Sequence, residues 1–169
     1  MTADLIGNIA NISLALSLLV GLVFGIGQAR AAARDRRERL TLETLGHFGS
    51  REFAELIQYI DTHEMPKTRD ALRALPANEQ TMFIQFSMLM ENLGILVAQK
   101  MINVDLVDMT LGSFVSTTWV KFKPMSINTR KEDNEPFMSE YFQWLAETFD
   151  ERLKANPRQP AYEELSPRR

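Results

Sequence analysis

Ser13-Leu14-Ala15-Leu16-Ser17-Leu18-Leu19-Val20-Gly21-Leu22-Val23-Phe24-Gly25 puts a small residue at every fourth position, with mostly Leu, Val and Phe between. Three readings compete for it: a signal peptide, a buried core helix, or a membrane helix with a packing seam. The stretch lies inside a longer uncharged run, Ile9 to Gly27, whose only polar residues are Asn11, Ser13 and Ser17. At a rise of about 1.5 Å per residue that run reaches roughly 28 Å, close to the thickness of a bilayer core. A core helix of a small domain is seldom so long and so uniformly apolar. A signal peptide wants positive charge before the apolar run and a cleavage site after it. Here the only charged side chain before the run is Asp4, and Arg30, Arg34, Arg36, Arg37 and Arg39 follow it. Ala29-Arg30-Ala31 only loosely mimics a cleavage site. The flanks predict an uncleaved anchor in the inner (cytoplasmic) membrane, with residues 1–8 outside and the C-terminal part in the cytoplasm.

The small residues continue as Ser13, Ser17, Gly21, Gly25, Ala29 and Ala33, with Gly21 and Gly25 forming a GxxxG pair. In lipid, apolar side chains gain little by leaving the acyl chains, so close backbone approach over small residues is what favours association. Four residues turn a helix by about 400°, so the row drifts by about 40° per step and no straight partner follows all six. A right-handed crossing centred on Gly21 and Gly25 uses three or four. The spacing therefore points to association with itself or with another membrane protein. Gly, Ala and Ser are also simply common in membrane helices.

Gln28 to Arg39 consists of good helix formers without Gly or Pro. Its five Arg against Asp35 and Glu38 leave it at +3. The expectation is a helical stalk over 28–49 whose arginines meet anionic lipid headgroups, beside the plainer reading of a topology signal on a solvated stalk. From Leu40 to Asn156 the chain carries 11 Lys or Arg and 17 Asp or Glu, a net −6. That sign argues against nucleic acid as a partner. There are no cysteines among the 169 residues, so disulfides and thiolate metal sites are excluded. Roughly 115 residues suffice for one modest core, here assigned to 50–155.

Apolar positions in this body recur at three and four rather than two, which predicts helices. Ser50 caps one through Ile60, with Phe53, Leu56, Ile57 and Ile60 on its face. Pro66 opens a short helix with Leu72 and Leu75, and Pro76 ends it. Asn78 caps a long one to about Ile102, apolar around its whole circumference and therefore expected at the centre of a soluble bundle. Gln85, Ser87, Glu91 and Asn92 argue against a second span there. Asn103 caps Val104 to Leu111, Gly112 breaks it, and Ser113 to about Phe122 follows. Pro124 ends or kinks that helix, with helix possible on to Arg130. Lys131 to Pro136 reads as a loop. The last helix runs from Phe137 to Ala155 with Tyr141, Phe142, Trp144, Leu145 and Phe149 inward. Residues 156–169 read as a disordered tail. The fold class is all-α: one transmembrane helix extended as a stalk, then a small cytoplasmic bundle.

Glu91 is the carboxylate in the least favourable setting, among Ile84, Met88, Ile95 and Ala98. A buried carboxylate needs a partner, and Arg130 is the candidate. A structural ion pair is the leading reading and catalysis the lesser one. His47 sits four residues after Glu43 and His63 precedes Glu64, but no third ligand stands at a metal-site spacing. Asp105 and Asp108 suit the first turn of a helix. No nucleophile elbow, phosphate loop or cofactor motif is present, so no catalytic residue, metal or cofactor is assigned.

The body resembles the bacterial family of unknown function numbered 4760. The resemblance rests on Met90-Glu91-Asn92-Leu93-Gly94, Asn103-Val104-Asp105-Leu106-Val107, Trp119, the Pro124 region, Arg130 and Tyr141-Phe142-Gln143-Trp144-Leu145-Ala146, over Ser50 to Asp150. It implies an N-terminal membrane helix before a helical domain, a shared structural role for Glu91 and Arg130, and no particular activity. The expected function is a single-pass, non-enzymatic interaction or scaffold protein. The alternatives are an accessory subunit of a membrane complex and, less favoured, a tethered enzyme centred on Glu91 and Arg130.

Overall fold

The computed structural model describes residues 2–164, with side chains described for residues 8, 13–160, 162 and 163. Among the described residues all regular structure is helical: α1 (Thr2–His47), α2 (Arg51–Thr62), α3 (Arg69–Arg73), α4 (Ala77–Ala98), α5 (Val104–Glu132), α6 (Glu140–Ala155) and the single turn α7 (Ala161–Glu164). Contacts divide the chain into two units between Leu40 and Thr41. Met1 and the last five residues of the expected tail lie outside the described residues.

The first unit is helix α1 up to Leu40, and α1 runs unbroken through the apolar run and the arginines. Two helices are long and apolar enough to cross a membrane, the Ser13–His47 part of α1 and α4. None of the apolar window of the first is buried, against 33% of that in α4.

The second unit begins with the last two turns of α1. Thr41 is fully buried there, and its hydroxyl accepts the Asn103 N–H at 2.8 Å. Helix α2 starts as the sequence implies, with the Ser50 hydroxyl accepting the Phe53 N–H at 3.1 Å. It buries Phe53, Leu56, Tyr59 and Ile60, while Ile57 is half-buried. Helices α4, α5 and α6 form the body of the bundle, with α6 packed against both α4 and α5. Its centre is aromatic. Phe83 stacks on Phe122 at 4.7 Å, Phe86 lies 5.1 Å from Phe122, and Trp119 meets Phe142 edge-on at 5.1 Å. Phe53 joins from α2 against Phe114 at 5.6 Å. Such rings bury large apolar area and favour these offset and edge geometries.

Several boundaries differ from the sequence reading. Helix α4 begins at Ala77 rather than with an Asn78 cap, and it ends at Ala98, followed by Lys100 at φ 55°. It is not enclosed on all sides. Phe83, Phe86, Met90, Leu93, Gly94 and Val97 face inward, whereas Ile84 and Met88 are exposed. Helix α5 runs through both Gly112 and Pro124. Proline withholds the N–H that would reach the Val120 carbonyl, but Val120 is 70% exposed, where water can serve instead. Gly112 is buried inside the helix rather than ending it, and its role there is packing. Helix α6 starts at Glu140, three residues later than expected, and Trp144 is exposed rather than inward. Residues 156–164, within the expected disordered tail, include a helical turn and a contact from Arg158 to α5.

Tyr59 is buried, and its hydroxyl has no hydrogen-bond partner. Burial, with Glu79 second, pushes its phenol above the usual tyrosine value. The neutral form is thus favoured in the folded state, so its contribution is complete below the unfolded phenol value of about 10 and is lost as pH rises above that. Tyr59→Phe is expected to raise stability by about 1 kcal/mol, since it removes an unsatisfied buried group. It should also flatten the alkaline limb of the stability profile. Thermal melting at pH 7 and above pH 10 measures both.

Candidate functional site

Two regions of the chain present arrangements beyond simple packing, and they are described separately. In α1 the side chains from Leu14 to Ile26 are open, with the large ones 44–69% exposed. A Cβ built at Gly21, Gly25 or Gly27 meets nothing within 4 Å. Ser17 donates its hydroxyl to the Ser13 carbonyl at 2.9 Å, so that hydroxyl is satisfied within its own helix. Ser13, Ser17, Gly21 and Gly25 are thus exposed and without large side chains. Arg30, Arg34, Arg36, Arg37 and Arg39 are exposed as well. Arg34 bonds Glu38 one turn on at 2.9 Å, and that bond holds its guanidinium above the usual arginine value.

In the helical domain, the structure separates Glu91 from Arg130. No ion pair joins them. The Glu91 carboxylate instead accepts two backbone N–H groups at the start of α6: Tyr141 at 3.1 Å and Phe142 at 2.9 Å. Those are the donors that a helix leaves unpaired at its N-terminus. The residue that should cap them, Ser139, sits at φ 55° and makes no side-chain cap bond. Glu91 therefore caps α6 from α4. Its negative charge also meets the positive end of the α6 dipole. Gly94, one turn further along α4, makes this approach possible. A Cβ there would lie on the Tyr141 carbonyl, 2.7 Å from its carbon and 2.8 Å from the Tyr141 Cβ. Arg130 donates instead to the Met138 carbonyl at 2.9 Å and to the Gln143 side chain, fixing the turn before α6 from the α5 side. Its Nη2 is buried without a partner. Arg69 of α3 pairs with Asp133 at 2.9 Å and with Glu135, holding the same connection lower down.

A second polar cluster gathers Asp105 and Asp108, which the sequence offered only as helix-start acids, with arginines it did not single out. Asp108 is 9% exposed and accepts from Arg152 Nε at 2.9 Å. Arg152 also pairs with Asp105, and the two carboxylates together hold its guanidinium above the usual value, Asp108 first. Asp105 is therefore an ion-pair acceptor as well as a first-turn acid, whereas Asp108, expected beside it, lies past the first turn and acts as an acceptor only. Their partners stand more than forty residues away, so the sequence carried no local signal for them beyond the acids themselves. An open groove of about 520 Å³ runs along the outer face of α4, lined by Ile84, Met88, Leu89 and the polar Thr81, Gln85 and Asn92. Among the described residues no three His, Asp or Glu side chains converge as a metal site. His63 stacks on Tyr59 at 4.7 Å and contacts the Tyr59 carbonyl at 3.0 Å, a local helix-end arrangement.

Residues 15–149 match a family described as Domain of unknown function (DUF4760). The chain belongs to that family. The DUF4760 match takes in most of the apolar run as well as the bundle, beginning well before the Ser50 to Asp150 span of the resemblance. No curated protein and no solved structure matches the chain. The residues on which the resemblance rested find a physical account here. Glu91 and Gly94 form the seat, and Tyr141 and Phe142 are the backbone that occupies it.

Proposed function

We propose that this chain is a membrane-anchored interaction protein. Its first helix spans a bilayer once and assembles through Ser13, Ser17, Gly21 and Gly25, presenting the helical domain on the side of the arginines. The observation that carries this reading is the uncovered apolar length of α1, with no heavy atom within 4 Å of a Cβ at Gly21 or Gly25. So much exposed apolar surface on a soluble chain would be covered by association or by lipid. The charge order, arginines after the run, favours an N-terminus outside and a cytoplasmic domain at the inner membrane.

The helix geometry supports a division of labour between its faces. Arg30 follows Gly21 by nine residues, and Arg34 follows Gly25 by nine. Nine residues turn a helix by about 900°, which places each arginine roughly 180° from its glycine. A partner seated on the glycines leaves Arg30 and Arg34 pointing away from it, toward anionic headgroups. Each Glu91 oxygen accepts one backbone N–H, a capping role that supports the interaction reading over the enzyme alternative.

The test is the mass and composition of the particle extracted in mild detergent. A multimer of this chain is expected, and Gly21→Ile with Gly25→Ile should reduce it to a monomer while the far-ultraviolet helical signal is kept. An unchanged mass in the double variant removes the seam from the proposal. A second protein at fixed ratio would make the chain a subunit that uses the same seam against a different helix.

A further inference from the structure

The Asp108 carboxylate is divided between two arginines. Its Oδ2 takes Arg152 from α6 at 2.9 Å. Its Oδ1 faces Arg158, whose Nη2 lies 3.4 Å away and also donates to the Asp108 backbone carbonyl at 3.1 Å. Gly112 makes room for the carboxylate in the pose that faces this second arginine. A Cβ there would press on Oδ1 and stand 3.7 Å from Arg158 Nη2. A buried acid, a glycine one turn away and a carbonyl on the same helix thus form a recess shaped for a guanidinium.

The occupant is less well held than the site is built. The Asp108 side chain is 12% exposed, but that of Arg158 is 47% exposed. Arg158 uses one nitrogen for both acceptors, and its reach to the carboxylate is long for a charged hydrogen bond. It stands in Pro157-Arg158-Gln159-Pro160, all exposed and beyond the end of α6. Among the described residues, Arg158 makes the only hydrogen bonds from this segment to the rest of the bundle. A cleft of about 280 Å³ lies alongside, bordered by Leu153, Ala155 and Asn156 as well as by the three charged residues.

We propose that Asp108 and Gly112 form a receiving site for an arginine side chain, and that the Pro157–Pro160 strap is its built-in occupant, displaced when a partner segment presents a better-placed arginine. An incoming guanidinium that sets one nitrogen on the Asp108 carbonyl and another on Oδ1 makes two good bonds where Arg158 shares one nitrogen. Arginine suits this geometry through its planar fork, and lysine, a point charge, does not. The site lies wholly within the helical domain and is independent of the membrane reading.

The absence of native cysteine allows a single spin label at Gln159→Cys in the full chain. The label is expected to be restrained in that background, and adding Arg158→Ala should raise its mobile fraction at least threefold without loss of helical circular dichroism. Calorimetry with the peptide acetyl-Pro-Arg-Gln-Pro-amide should then show binding to the Arg158→Ala chain at least tenfold tighter than to the wild type, where the strap competes from the same molecule. The same peptide with lysine in place of arginine should not bind. A label equally mobile with and without Arg158 overturns the strap. Loss of the helical signal in Arg158→Ala does so too, because it makes the contact part of the fold. Equal or absent peptide binding in both chains, or equal binding of the lysine peptide, overturns the arginine site.

Discussion

Gly94→Ala is expected to destabilise the helical domain by about 3 kcal/mol, seen as a fall in melting temperature of about 10 °C or more. The added methyl would stand 2.7 Å from the Tyr141 carbonyl carbon and 2.8 Å from its Cβ. The obstacle is backbone at the first turn of α6, not the tip of a flexible side chain. Moving it means moving the start of a helix whose inner residues Phe142, Leu145, Ala146 and Phe149 are all buried. The intrinsic preference of a helix for Ala over Gly, about 1 kcal/mol, works in the other direction, so the net sign is a direct test of the close approach. A variant as stable as the wild type would mean that α4 and α6 do not meet as described.

Glu91→Ala is expected to cost a similar amount, about 2–4 kcal/mol. It leaves the Tyr141 and Phe142 N–H groups without an acceptor and takes a negative charge from the helix N-terminus. Arg130→Ala, by contrast, should leave the Glu91 bonds intact, because Arg130 serves Met138 and Gln143. The two sites are separable by a double-mutant cycle in denaturant. Glu91→Ala combined with Gly94→Ala should cost clearly less than the two apart, since either change already breaks the α4–α6 seat. Strict additivity would show that the two residues act on different parts of the fold. Glu91→Gln keeps one good acceptor and should fall between wild type and Glu91→Ala.

What the sequence disclosed follows from how local each signal is. The length and polarity of α1 are written in consecutive residues, and the Ser50 and Asn103 caps act on N–H groups two or three residues away. Gly112 and Pro124 misled because their usual helix-breaking costs, about 1 and 3 kcal/mol, are outweighed by packing that only the folded bundle supplies. Glu91 stood out correctly as a carboxylate in need of a partner. Its partner is main chain, which carries no residue type to search for, so the sequence points to Arg130, a cation after a helix expected to pack nearby. The Glu91-x-x-Gly94 spacing, acid and glycine one turn apart on one helix face, was the available hint. For Asp108 no hint was available nearby, as its second arginine lies fifty positions further on, past a proline.

The borrowed cap also orders events in time. Helix α6 takes its first-turn acceptor from a residue about fifty positions earlier, so it cannot complete its own N-terminus from neighbouring side chains. During synthesis α4 leaves the ribosome well before α6 does. Helix α6 then emerges with the residue that caps it already synthesised. A fragment that begins after α4 would start α6 with its amide donors facing water, whereas one that ends before α6 would leave the Glu91 carboxylate and the groove at Gly94 vacant. The domain is therefore poorly suited to being divided between these helices, and a tag or an inserted segment is better carried on the side of Ser50 than in the turn from Asp133 to Ser139.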